Sequence, residues 1–462
     1  MLSLFFSCAS IPPEVSSAPQ PDILLVVVDT LRADALSSYG NQRAVGQNLS
    51  ILAKQGALFT EVWTPSSWTW PSHASLFTGL YPWDHGAHFG KPGPTAVSME
   101  PDPFFATELR TEVVTLAEKL TGVGYRTASF SANHLVGPDF SLVRGFELSE
   151  TFKDDSQVAS RVAGFLKDEA FFASEERRPL FVFVNLMSAH SPWFRNPDPW
   201  VVEHQHQLNP ATAPEWLRPH LLPNGIGIHP YAPSLTDNLV FGYMSGKKVL
   251  PDGAMELVHD LYEGEVVRAD KHLGSILNAW DGSGRKQGVV AVTSDHGEYF
   301  GEHQYLEHGR TIYPTVLHVP LVLRAADVVA GTIAEKPAAM HHLHGELLRR
   351  AGIPSELSLF EPPETIYAAA WSDVYWAQAL GGEFQHDHRL LRRGSEVAMA
   401  SSDGSCSMFN VDEDPRMLGP GQDCGAYKQE LVELFSQDNA GALVAPSEET
   451  LERLKSLGYV GE

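Results

Sequence analysis

Three runs of consecutive apolar residues stand out along the chain, and each leads into a polar residue that can do chemistry. Ile23–Val28 is followed by Asp29, Leu180–Val184 leads through Asn185 towards His190, and Val289–Val292 leads into Ser294-Asp295-His296-Gly297. Unbroken aliphatic and β-branched runs mark strands buried on both faces of a parallel sheet; a half-exposed strand would alternate. In open α/β sheets, ligands bind beyond the carboxyl ends of such strands. Between the runs, apolar positions recur at helical spacing over Val113–Leu120, Gln157–Leu166 and Leu257–Ala279. Strands alternating with helices predict an α/β sandwich with a mostly parallel central sheet.

Past residue 335 the texture changes. Short strand patterns at Ile366–Trp371, His388–Leu391 and Ser407–Asn410 precede helical ones at Tyr427–Phe435 and Ser447–Leu457. They predict a smaller C-terminal α+β domain over 336–462, packed on a large α/β domain over 22–335. Pro192–Pro251 is rich in Pro and His, with little periodicity, and reads as an insertion over the sheet edge. Long irregular segments of this kind are often functional. Residues 1–21 stand apart. Leu2–Cys8 looks like the end of an export signal without its basic start, and Ser7-Cys8 resembles a lipoprotein cleavage site. Ala9–Pro21, rich in Ser and Pro, reads as a tether. Two readings stand: an exported, periplasmic or outer-membrane lipoprotein attached through a lipid on Cys8, or a cytoplasmic protein with a frayed N-terminus.

Composition narrows the function. The 462 residues hold 33 Lys+Arg against 57 Asp+Glu, a net charge of −24. So acidic a chain is no general nucleic-acid binder, which needs cationic surface to neutralise phosphates. Hydrophobic residues at 43% and charged residues at 19% are those of a core-building globular chain. No apolar run reaches the roughly 18 residues that a membrane-spanning helix needs. Only three cysteines are present, Cys8, Cys406 and Cys424, and their spacing is not that of a zinc knuckle.

The segment Thr69-Trp70-Pro71-Ser72-His73 to Gly79 carries helix punctuation: Pro71 suits a first turn and Gly79 a C-terminal cap. Thr69 then sits at or just before the N-cap, where the helix dipole favours an anion. Its hydroxyl is either an ordinary cap or a nucleophile. Asp29, Asp295 and His296, meeting at one sheet edge, suit a divalent metal. A metal beside Thr69 lowers the pKa of its hydroxyl.

These blocks together resemble the sulfatase family of the alkaline phosphatase superfamily. Pro21–Arg32 looks like its opening strand, Thr69–Gly79 with Leu80-Tyr81-Pro82 like its nucleophile block, and Ser294–Glu298 with Gly301-Glu302-His303 like its second metal-binding block. Fainter echoes are Gly124-Tyr125-Arg126-Thr127, His190-Ser191-Pro192, Tyr262–Gly274 and Asp412–Pro415. The resemblance implies the family fold and one divalent metal (Zn, Mn or Ca) on Asp29, Thr69, Asp295 and His296, with a second metal left open. It implies Thr69 as nucleophile, His190 and His308 as catalytic partners, and His73 and His134 as substrate-binding residues. His303 and Asp270 read as structural, and His341-His342-His344 as a surface or interdomain helix. In an exported protein, Cys406 and Cys424 would form a disulfide. Trp63, Trp68, Trp70 and Trp83 either line an apolar pocket or pack the core.

Four departures redirect the chemistry. Thr69 stands where sulfatases carry the Cys or Ser that becomes formylglycine, and it cannot form that aldehyde. His73 replaces an Arg, Thr30 a second Asp, and Ala132 a Lys. Thr nucleophiles belong to the phosphodiesterases, pyrophosphatases and phosphoalcohol transferases of the same superfamily. The expectation is therefore a metal-dependent hydrolase of phosphate mono- or diesters, acting on a small-molecule, lipid or glycan ester through a phospho-threonine. The alternatives are a sulfatase working without formylglycine, a phosphoalcohol transferase, and an inactive anion-binding relative.

Overall fold

The computed structural model describes residues 20–89, 106–168, 171, 177–191, 193, 199–204, 206 and 240–442. Cys8, most of the tether, the predicted helix Ser447–Leu457 and most of the Pro192–Pro251 insertion lie outside them. The large unit is built on nine strands: β1 (Ile23–Val28), β2 (Ala57–Trp63), β3 (Arg126–Ser131), β4 (Leu148–Thr151), β5 (Leu180–Leu186), β6 (Val289–Thr293) and three later ones. A small hairpin of β7 (Tyr299–Phe300) and β8 (Leu306–Glu307) follows β6, and β9 (His318–Arg324), β10 (Thr332–Ala334) and β11 (Ala338–Ala339) complete the sheet. The order is β10-β2-β9-β6-β1-β5-β3-β4, with β11 also paired to β2.

β1 lies parallel to both β5 and β6 at the centre, so the three apolar runs of the sequence are adjacent strands. Their lack of alternation has a direct cause. Leu24, Val26 and Val28 enter one core, with Leu257 of the helix Ala254–Trp280 and Val158 of the helix Asp155–Phe165. Ile23, Leu25 and Val27 enter the other, with Ala74 of the helix Thr69–Thr78 and Leu343 of the helix His342–Arg350. One strand, β9, runs antiparallel between β2 and β6, so the sheet is mostly but not wholly parallel.

The second unit is an antiparallel sheet of β12 (Thr365–Ala370), β13 (His388–Arg393), β14 (Glu396–Ser401), β15 (Cys406–Asn410) and β16 (Gln422–Asp423), followed by the helix Tyr427–Phe435. Ile366, Ala368, Leu390 and Val397 pack with Trp63, Leu317 and Ala339 of the large unit, so one apolar cluster joins the two. A Cys406–Cys424 disulfide closes its last loop. The helix predicted from Val113 begins at Leu116, because Thr115 and Glu118 form a reciprocal capping box there. Among the described residues, no helix is long and apolar enough to cross a membrane.

Candidate active site and metal centre

Parallel pairing brings the carboxyl ends of β1, β5 and β6 to one edge. Asp29 follows β1, Asn185 lies near the end of β5, and Asp295 and His296 follow β6. The helix Thr69–Thr78 points its N-terminus at the same place. Trp68 is its extended N-cap, Thr69 its first residue, Pro71 lies in its first turn, and Gly79 ends it with φ 77°. Thr69, Asp29, Asp295 and His296 are all fully buried.

One ligand atom each from Asp29, Asp295 and His296 lies within 4.8 Å of the others. His296 Nδ1 donates to the Gly297 carbonyl at 3.0 Å, which leaves the Nε2 lone pair facing inward. That Nε2 lies 3.4 Å from Asp295 Oδ2, 3.9 Å from Asp29 Oδ1 and 3.3 Å from the Thr69 hydroxyl oxygen. The outer oxygens are tied down. Asn133 Nδ2 donates to Asp29 Oδ2 at 2.8 Å, and the backbone N–H groups of Thr30 and His296 donate to Asp295 Oδ1. The inner oxygens, Asp29 Oδ1 and Asp295 Oδ2, are buried with no hydrogen-bond partner among the described residues. Buried carboxylate oxygens left in this state are costly unless a cation meets them. Burial, reinforced by the Asp295 charge, holds Asp29 well above the usual carboxylate range, and burial pushes Asp295 up to about 7. The donor set, two carboxylates, one imidazole and an adjacent hydroxyl, fits a divalent metal.

Burial keeps two of the imidazoles around it, His73 and His308, neutral. Burial lowers His73 to about 4. Asn185 Nδ2 donates to its Nε2 at 3.3 Å, and its Nδ1 donates to the Thr69 carbonyl at 3.0 Å, with Asp295 Oδ2 at 3.4 Å. His308 faces His296 with ring centres 4.3 Å apart and His190 at 4.9 Å. Its Nδ1 lies 3.0 Å from Glu298 Oε1, which leaves Nε2 for the site. Burial, then the nearby Arg310, lowers His308 to about 3, while burial raises Glu298 well above its usual range.

The structure thus brings Asp29, Thr69, Asp295, His296, His73, His190 and His308 into one cluster. His134 is half-buried at the start of a turn beyond β3, and it is the preceding Asn133 whose side chain reaches Asp29. Asn133, Asn185 and Glu298 were not anticipated. Asn185 and Glu298 had a signal, since both lie inside blocks already marked by their apolar runs. Thr30 takes φ 55°, rare for a β-branched residue, with its N–H on Asp295 and its carbonyl accepting from Tyr262. Asp270 accepts the backbone N–H groups of Asn48 and Leu49 and so caps the helix Gln47–Gln55. His303 stacks on Tyr313 at 3.6 Å and donates to the Arg416 carbonyl. The His341–His344 segment is no surface helix: His341, His342 and His344 are each about 1% exposed. All four tryptophans near Thr69 are buried core residues.

This sheet order, with helices packed on both faces, is an α/β fold shared with solved sulfatase and phosphonate monoester hydrolase structures. The Sulfatase family model matches residues 21–353, and the chain belongs to the sulfatase family. It is similar to an uncharacterized sulfatase, YidJ, of Escherichia coli (strain K12), 23% identical over 362 residues, covering 66% of this chain and 63% of that protein. The chain therefore spans a little under two thirds of that relative's length. Among solved structures it resembles BT4656 in complex with its substrate D-glucosamine-2-N,6-O-disulfate, with TM-score 0.65 and 15% identity, covering 95% of this chain and 98% of that one. It also resembles the phosphonate monoester hydrolase of Silicibacter pomeroyi, with TM-score 0.62 and 18% identity, covering 90% and 94%.

Proposed function

We propose that this chain is a metal-dependent ester hydrolase in which Thr69 is the nucleophile and phosphate mono- or diesters are the substrates. The observation that carries the reading is the fully buried Thr69 hydroxyl, 3.3 Å from His296 Nε2, at a helix N-terminus beside two carboxylate oxygens without partners. Asp29, Asp295 and His296, with Thr69 Oγ1, would hold the metal. Bound there, a divalent ion lowers the pKa of a neighbouring hydroxyl and offsets charge on the ester oxygens.

The chain's own residues supply the rest. The N-terminus of the helix Thr69–Thr78 faces the nonbridging oxygens with its positive dipole end. Thr69 Oγ1, held as the alkoxide and returned to that form when water displaces it, bonds to phosphorus as the bond to the leaving alcohol breaks. His308 Nε2 gives the departing oxygen its proton, and the buried Glu298 acid passes its own proton to Nδ1. The pair then holds its remaining proton at Nδ1, and His308 Nε2 accepts one from the water that resolves the phospho-threonine. His73, fixed by Asn185, holds the Thr69 backbone, and His190 stands at the anion. An acceptor alcohol in place of water would make the reaction a transfer.

A second reading, a sulfuric ester hydrolase without formylglycine, is supported by the sulfatase names among the relatives. We further infer an oxidising, extracytoplasmic location, supported by the Cys406–Cys424 disulfide. The test is bound-metal analysis together with aryl phosphate, phosphodiester and sulfate esters assayed on wild type and Thr69→Ala. The proposal expects phosphoester turnover that falls at least about 10³-fold in Thr69→Ala. Sulfate turnover that dominates and survives Thr69→Ala would overturn it. Absence of turnover with every divalent metal would favour a binding protein.

A further inference from the structure

A guanidinium packed against two aromatic rings stands beside this centre. Arg310 follows His308 across Gly309, whose φ of 101° suits only glycine. Its Nη1 donates to the His308 carbonyl at 3.2 Å, and its Nη2 to Asp373 Oδ2 at 3.3 Å. The guanidinium lies 5.2 Å from the ring centre of Phe89 and 4.8 Å from that of Trp376. Phe89 in turn stacks on Trp68 at 3.9 Å, and Trp68 is the residue before Thr69. A continuous stack therefore joins Arg310 to the start of the nucleophile helix.

Charge explains why such a residue matters. The positions where the resembling family carries an Arg and a Lys are here His73 and Ala132, and burial keeps the His73 and His308 imidazoles neutral. Arg32 is committed to Asp34 and Glu302 and is only 2% exposed. Arg310 and Asp373 keep 13% and 16% exposure, so this pair reaches the surface. Arg310 has five N–H donors; among the described residues it uses two on protein acceptors, and its Nε has no partner. With both rings against the guanidinium carbon, the N–H donors not used on the protein suit a planar or tetrahedral oxyanion.

We propose that Arg310 is a specificity-determining residue: it binds a second anionic group, carboxylate, sulfate or phosphate, on the alcohol portion of the ester, so that doubly anionic substrates are preferred. Asp373 holds the fork in place and competes with that group. The proposal rests on the ester-cleaving reading of the site, and its test is built to fail separately from it.

Binding of benzenesulfonate and of 4-sulfobenzoate, neither of which is an ester, is measured by calorimetry on the metal-loaded full chain. Wild type is expected to bind 4-sulfobenzoate about tenfold tighter. Arg310→Gln should remove that preference and leave benzenesulfonate unchanged. Arg310→Lys should keep part of it, and Asp373→Asn should enlarge it. Equal binding of both probes to wild type, no binding of either, or an equal loss of both in Arg310→Gln would overturn the assignment. Turnover of phenyl phosphodiesters with and without a para-carboxylate is measured alongside. A binding preference without turnover rejects the hydrolase reading and keeps Arg310; turnover without a preference does the reverse.

Discussion

At the scale of single residues, the centre depends on side chains that never touch the substrate. Asn133 donates to Asp29 Oδ2 while its own Oδ1 accepts from Leu135 N, so the amide is fixed at both ends and turns Asp29 Oδ1 inward. Asn133→Leu should weaken metal binding about 10- to 100-fold, read by chelator competition, with the melting temperature of the metal-free protein held. Unchanged metal affinity would remove Asn133 from this role. Metal removal should also leave a pH signature. Burial raises the folded pKa of both Asp29 and Asp295, so their contribution to stability is present at low pH and lost as pH rises, for Asp295 through about 7. Stripping the metal should therefore lower the melting temperature more at pH 7.5 than at pH 5, read by calorimetry on loaded and chelated protein. Asp29, Asp295 and His296 were legible in the sequence because each closes an apolar run. Asn133 was not, because an amide that orients a carboxylate carries no periodicity or spacing of its own.

At the scale of elements, legibility followed burial. β1, buried on both faces, was placed to its ends, and β5 and β6 extended only one or two residues beyond their runs. β2 and β9 were not anticipated. β9 contains Pro320, which lacks an N–H and reads as a strand breaker, and its antiparallel direction leaves no mark in composition. The start of the helix Leu116–Gly122 is set by its cap rather than by its apolar pattern. Thr115→Ala should cost about 1 kcal/mol in urea unfolding, since it breaks one arm of the capping box. A change within a few tenths of that unit would mean the end is held by packing alone. The disulfide is a larger staple. Cys406 and Cys424 are 18 residues apart, and replacing both with Ser should cost about 3 kcal/mol, with loss of the small sheet's last strand before the rest unfolds.

At the scale of the whole molecule, an acidic chain has a histidine-rich seam where the helix His342–Arg350 meets the nucleophile helix. A Cβ at Gly79, the end of that helix, would lie 2.9 Å from the His344 ring. His344 Nε2 lies 2.9 Å from Lys119 Nζ, the His85 ring bonds the Ser75 hydroxyl at 2.9 Å, and His341 packs edge-on against Tyr81 at 4.5 Å. Burial holds all four imidazoles low: His342 at about 4, His344 at about 3, and His341 and His85 well below the usual value. Lys119, facing His344, adds positive charge and lowers it further. The unfolded chain takes up protons near pH 6.5 that the folded seam refuses. Stability from this seam is therefore fully present above about pH 6.5 and is lost as pH falls towards the folded values. His342→Gln removes one of these groups, so between pH 6 and 4.5 the fall of unfolding free energy with pH should be shallower by about one proton, roughly 1.4 kcal/mol per pH unit. Urea unfolding of wild type and variant at half-unit steps measures that difference. Identical slopes would mean that His342 is protonated in the folded protein, and that the seam between the nucleophile helix and the helix His342–Arg350 is open to water.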